Sequence, residues 1–187
     1  MNRIRLIHND RIPEGVMGKN QQISLWFDLY SDVIYQFFLY RIGSSDVEDL
    51  VQEVFIQAIK SYDSFNEAAS PKTWLYSIAR HLAIDEIRKK QRNKRKDILT
   101  FNTSPEPQTD RTPEYLMGLN EENSELIQAI HSLNQQYKEI LILRGISGLT
   151  TYETAQTLKW TENKVRSTYH RAKRALRKQL GGVNDDK

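Results

Sequence analysis

The sequence predicts an all-α chain: two small helical domains joined by a flexible linker, with a helix-turn-helix in the second. Three observations predict this. Apolar residues recur every three or four positions along most of the chain, and no segment alternates apolar and polar residues as a half-buried strand would. A stretch rich in Pro, Ser, Thr and acidic residues, FNTSPEPQTDRTPEY at 101–115, interrupts the helical pattern once. Beyond it, Thr150 to Leu180 carries two helix starts separated by a short turn.

Residues 1–22 are polar, contain Pro13, Gly15 and Gly18, and are expected to form a flexible N-terminal arm. The first helix pattern covers Ser24 to Ile42. Its apolar positions 26, 29, 30, 33, 34, 37 and 38 follow helical spacing, and Gly43 with Ser44 ends it. The next starts near Asp46. Val47, Leu50, Val51, Val54 and Ala58 form its inner stripe, and Asp49, Gln52, Glu53 and Lys60 lie opposite. A loop is expected over 63–72, with Pro71 suited to the first turn of the following helix. That helix, TWLYSIARHLAIDEIRKKQRNKRK (Thr73 to Lys96), turns Leu75, Ile78, Ala79 and Leu82 inward. Trp74, Ser77, His81, Arg88 and Arg92 fall on another side. The resulting organisation is an arm (1–22), a helical domain (23–97), a linker (98–120) and a second helical domain (121–182).

In the second domain, apolar positions 126, 127, 130 and 133, then 137, 140, 141 and 143, give two helices joined at Ser132 to Gln135. Thr150 followed by Glu153 is a capping-box pattern. Tyr152, Ala155 and Leu158 are expected on the inner face of a short helix. Lys159 and Trp160 form the turn, Thr161 caps the next helix, and Val165 packs between the two. Lys164, Arg166, Ser167, His170, Arg171 and Arg174 then face solvent. Such a helix can enter a major groove, with early residues near base edges and later ones near phosphates. The same segment also fits a solvated amphipathic hairpin.

The net charge is only +3, with a pI of about 9.0, but the charge is unevenly placed. Acidic residues gather at Asp46 to Glu53 and Glu121 to Glu125, and basic ones at Arg88 to Lys96 and Lys164 to Lys178. Basic clusters suit phosphate backbones or anionic membranes. On the helix from Thr73, aromatic rings could stack on unpaired bases while Arg and Lys follow the backbone. Taken by itself, Trp74 fits a core anchor better than an exposed stacking platform. No apolar run reaches the roughly 20 residues that span a bilayer, and MNRIRLIHNDRIPEG lacks a signal-peptide apolar run, so a cytoplasmic protein is expected.

The chain has no cysteine, which excludes disulfides and thiolate metal sites. His8, His81, His131 and His170 are scattered, without the carboxylate spacing of a metal centre. No Gly-rich phosphate loop is present, and no Ser or Thr sits in a His/Asp pattern. The expectation is a non-enzyme with no metal, no cofactor and no small-molecule substrate.

Three motifs, DVEDLVQEVFIQAIKSYDSF (Asp46 to Phe65), TWLYSIARHLAIDEIRKK (Thr73 to Lys90) and the helix-turn-helix, occur in an order and spacing that resembles the extracytoplasmic-function (ECF) group of sigma factors in the sigma-70 family. The resemblance spans about Leu25 to Leu180. It implies a subunit that binds core RNA polymerase and directs promoter recognition, DNA melting and transcription initiation at a stress- or envelope-related regulon. It implies that Asp49, Gln52 and Glu53 meet the polymerase. Phe65, Trp74, His81, Arg88 and Arg92 would serve the −10 element, and Arg166, Ser167, His170, Arg171 and Arg174 the −35 element. It also implies an anti-sigma factor as a partner, often one that holds the sigma factor at the membrane. A stand-alone helix-turn-helix regulator and an RNA-binding adaptor are the rival readings of the same stripes.

Overall fold

Helix α1 runs from Lys19 to Ile42, so its first turn lies in the segment expected to be an arm. The polar residues that open it have partners. Gln21 Oε1 accepts a bond from the Gly18 amide, the Tyr62 hydroxyl donates to the Gln22 side chain, and Lys19 Nζ lies 3.7 Å from Asp63. The computed structural model describes residues 18–44, 46–66, 69–100 and 121–181. Most of the expected arm, the linker stretch 101–120 and the tail from Gly182 lie outside the described residues.

Gly43 closes α1 with φ 75° and ψ 35°, its amide bonding back to Leu39 O at 2.9 Å. Glycine adopts this left-handed conformation without steric cost. Helix α2 (Glu48–Ser61) follows and tightens into a 3₁₀ turn at Tyr62–Ser64. Helix α3 runs from Pro71 to Thr100, so helix occupies the first residues expected to be linker. Ser70 caps it, its Oγ accepting from the Thr73 amide at 3.2 Å. Leu75 and Ala79 are buried as expected. Tyr76 and Ala83 are buried more completely than Ile78 and Leu82, so the core-facing stripe is rotated by part of a turn. The Tyr76 ring packs edge-on against Phe37 at 5.6 Å. Its burial pushes the hydroxyl pKa up to about 12, and the hydroxyl donates to Val33 O at 3.3 Å.

The second half contains α4 (Glu121–His131), α5 (Gln135–Leu141), α6 (Thr151–Leu158) and α7 (Glu162–Gln179). Asn134 caps α5, and a π-helical turn at Ile142–Ile146 leads toward α6. The turn is closed by Arg144, which donates to Leu149 O. Helix α7 packs on α5 and α6, while α6 packs on α3 and the π turn on α1. The hydrophobic core is consequently continuous from Ile23 in α1 to Ala172 in α7.

Candidate functional site

On α2, Val51, Val54, Phe55 and Ala58 are buried. Asp49 and Gln52 project to solvent, and Glu53 is half-buried, accepting from Gln57 Nε2 at 2.6 Å. Two isoleucines continue this outward stripe: Ile56 is 42% exposed and Ile59 is 41% exposed. Positions 49, 52, 56 and 59 follow the spacing of one helix face. Phe27 of α1 is also exposed and lies edge-on to Phe55 at 4.8 Å. The sequence reading found the polar part of this face and missed Ile56 and Ile59. The signal was present, because the polar periodicity runs directly into them.

The segment from Tyr62 to Trp74 gathers aromatic rings. Trp26 is 1% exposed, and around it lie Phe65 at 5.2 Å, Tyr62 at 5.9 Å and Trp74 at 6.0 Å between ring centroids. Phe65 and Trp74 are themselves 5.0 Å apart. The expectation of Trp74 on an outward stripe therefore needs correction: it is half-buried and packs against the core. The cause is Trp26, whose buried ring offers apolar surface that a large indole gains by covering. Ser77 is half-buried too, its Oγ donating to Thr73 O at 3.0 Å. His81, Arg88 and Arg92 are exposed as expected, with Arg88 3.7 Å from Asp85. From Trp74 to Arg92 the helix rises about 27 Å. The aromatic and basic groups thus form two ends of one long surface, not a single pocket.

The helix-turn-helix follows its sequence signals closely. Thr150 Oγ1 accepts from the Glu153 amide at 3.1 Å, and a Glu153 carboxylate oxygen accepts from the Thr150 amide at 2.7 Å. Lys159 makes the turn in a left-handed conformation with φ 55°. Thr161 caps α7 through the Lys164 amide at 3.3 Å. Ala155, Leu158 and Val165 are buried as expected. Tyr152 is not: it is 54% exposed, and Thr154 takes the inner position instead. Thr154 can be buried there because its hydroxyl donates to Thr150 O at 2.8 Å.

Helix α7 buries Val165, Thr168 and Ala172 and exposes Arg166, Ser167, His170, Arg171 and Arg174 together on the other side. Some of these side chains are already oriented. Arg166 meets Glu162 at 2.7 Å and Asn163 at 3.2 Å, and Arg171 Nε donates to Ser167 O at 3.3 Å. Exposed pairs of this kind contribute about 0–1 kcal/mol, so they orient Arg166 without sequestering it. Trp160 carries the Lys164 ammonium 4.1 Å above its ring, and Tyr169 carries Lys173 at 4.9 Å. Reading Trp160 only as a turn residue missed this supporting role.

Among the described residues, no three His, Cys, Asp or Glu side chains gather as a metal site. No helix among them is long and apolar enough to cross a membrane.

The chain matches the sigma-70 region 2 family over residues 26–93 and the sigma-70 region 4 family over residues 123–176. It is 36% identical over 163 residues to the ECF RNA polymerase sigma factor SigX of Bacillus subtilis, covering 86% of this chain and 84% of that one. The chain is an ECF sigma factor. Another relative, SigW of Bacillus subtilis, is 32% identical over 177 residues, covering 91% of this chain and 95% of SigW. Two solved structures share the fold. The sigma factor RpoE in complex with the anti-sigma factor NepR from Bartonella quintana has a TM-score of 0.68 at 22% identity, covering 89% and 99% of the two chains. CnrH in complex with the cytosolic domain of CnrY has a TM-score of 0.67 at 20% identity, covering 88% and 90%. As a sigma factor of this group, the protein acts with RNA polymerase and promoter DNA to direct transcription initiation. The family is one of transcription factors, not of enzymes.

Proposed function

We propose a division of labour along the chain. The unit 23–97 docks on core polymerase through Asp49, Gln52 and Glu53, and handles the −10 element with Phe65, Trp74, His81, Arg88 and Arg92. The unit 121–182 reads the −35 element with Arg166, Ser167, His170, Arg171 and Arg174, and the segment 98–120 tethers the two. The observation that carries this is α7, a capped helix whose outer side is rich in Arg and Lys and whose inner side is held in the core by Val165, Thr168 and Ala172. The protein acts in the cytoplasm without catalysing a reaction itself, and its regulon is stress- or envelope-related. An anti-sigma factor restrains it, at the membrane where that partner is anchored there. Two fold relatives solved as complexes, RpoE with NepR and CnrH with CnrY, support that partner class.

The test is run-off transcription with and without core polymerase on DNA carrying candidate −35 and −10 elements. Transcripts should require both the chain and core. Specific promoter binding by the chain alone, with no stimulation of core, would favour a stand-alone regulator.

Two substitutions on α7 should behave differently. A bidentate base contact is worth about 1–3 kcal/mol of discrimination, whereas a phosphate contact strengthens binding to every sequence. Arg171→Ala should relax preference at one −35 position. Lys178→Ala should weaken all promoters alike and flatten the salt dependence. Identical effects of the two across a set of −35 variants would refute this assignment.

His81 should act in strand opening. His81→Ala is expected to lower permanganate reactivity of −10 thymines while polymerase association stays near normal. A defect that persists undiminished on a pre-melted bubble would rule out the opening role.

A further inference from the structure

Aromatic rings hold cations on both flanks of α7. Lys164 Nζ lies 4.1 Å from the centre of the Trp160 ring, and Lys173 Nζ lies 4.9 Å from that of Tyr169. Both rings are half-buried and packed against the core, while both lysines are exposed. A second cation shares the Tyr169 ring. The Arg144 guanidinium lies 5.4 Å from its centre and is anchored in the turn before α6, where it donates to Leu149 O.

Their spacing sets these groups apart from the residues assigned to base edges. Lys164 and Lys173 are nine residues apart, about 2.5 turns, so they leave α7 on opposite sides. Val165, Thr168 and Ala172 face the core, and Ser167 and His170 face away from it. The two lysines stand on the flanks between those faces, about 13 Å apart along the axis. A helix with its side chains is about 10–12 Å across, and a major groove is about 12 Å wide. With its outer face down in the groove, α7 therefore turns one flank to each strand. The way these cations are held also differs from that of Arg166, which shares its charge with Glu162 at 2.7 Å. A ring restrains a cation without cancelling its charge, and it removes in advance part of the freedom a long lysine loses on binding. Around Tyr169 the two cations lie within about 10 Å of each other, the screening length at about 0.1 M salt, and repel. An anion received between them relieves that repulsion.

We propose that Lys164 on Trp160, and Lys173 with Arg144 on Tyr169, form two phosphate clamps, one for each strand bordering the −35 groove, with Trp160 and Tyr169 as the positioning residues that aim them. This rests on the two-element reading above. The clamps carry no sequence preference of their own. They fix the depth and register of α7 in the groove, so that Arg166, Ser167, His170 and Arg171 meet base edges.

The test measures binding of the full chain with core polymerase to promoter DNA in which one −35 phosphate at a time is replaced by an uncharged methylphosphonate. The wild-type chain should lose affinity at positions on both strands. Lys164→Gln should become indifferent to the replacement on one strand only, and Lys173→Gln on the other. Each should reduce the fall in affinity between about 50 and about 200 mM salt by about three- to fourfold, the share of one phosphate contact, and leave preference among −35 sequences unchanged. Trp160→Leu should act through Lys164: it lowers affinity in the wild-type background and lowers it no further in Lys164→Gln, while Trp160→Phe keeps the wild-type affinity. A Trp160→Leu loss that persists undiminished in Lys164→Gln would mean that the ring serves only the core, and the positioning role would be lost. Both lysines guarding one strand, or a changed −35 preference, would overturn the clamps. So would a Lys173→Gln defect in binding core without DNA, because the anion would then be an acidic polymerase segment. A wild-type chain indifferent to every −35 methylphosphonate would instead count against the two-element reading.

Discussion

Moving the −35 element by about five base pairs is expected to abolish transcription even with both elements intact. Half a helical turn, from a repeat of about 10–10.5 base pairs, rotates the −35 groove to the far side of the duplex. It also shifts the element by about 17 Å along the axis. The second half would then have to reach around the DNA while the first stays docked on polymerase. The set proposed to face the groove, Arg166, Ser167, His170, Arg171 and Arg174, lies exposed on one side of a single helix whose other side is packed into the core. A full-turn displacement restores the face but stretches the tether, so partial recovery there would measure how far 98–120 can extend. Strong run-off transcription from the half-turn promoter would mean that residues 121–182 do not read −35 DNA within the complex.

Much of this arrangement was legible in the sequence where local chemistry decides conformation. The Thr150/Glu153 capping box, the Thr161 cap, Gly43 after α1 and Pro71 at the start of α3 each act within a few residues, and each appears where expected. The readings that changed were those decided by distant partners. The helical period of α3 turns Trp74 outward, but the ring it covers, Trp26, lies in α1. The helical pattern puts Tyr152 on the inner face, yet it is exposed and Thr154 fits the inner position through a hydroxyl bond to its own helix. Arg80 of α3 and Glu139 of α5 meet at 2.5 Å across the two halves, a contact between helices distant in sequence that no local spacing announces.

The α2 face supports the second large effect. Replacing Ile56 and Ile59 together with Glu is expected to weaken core polymerase binding by about 10- to 100-fold, equivalent to about 1.4–2.8 kcal/mol. Interfaces draw most of their energy from a few well-packed, desolvated anchors whose surroundings exclude water, while rim charges chiefly steer association. The stripe has that composition: two exposed isoleucines in line with Asp49 and Gln52, with Glu53 beside them. Because both side chains already face solvent and pack little in the core, the substitutions should leave helicity and thermal stability nearly unchanged. Kinetics separates the two contributions. Asp49, Gln52 and Glu53 changed together to Ala should slow association, more so at low salt, where their charge acts over a longer range. The Ile56/Ile59 variant should accelerate dissociation and lose affinity at every salt concentration. If its dissociation rate from core matches wild type while the triple Ala variant no longer binds, the contact is electrostatic throughout and the isoleucines lie outside it.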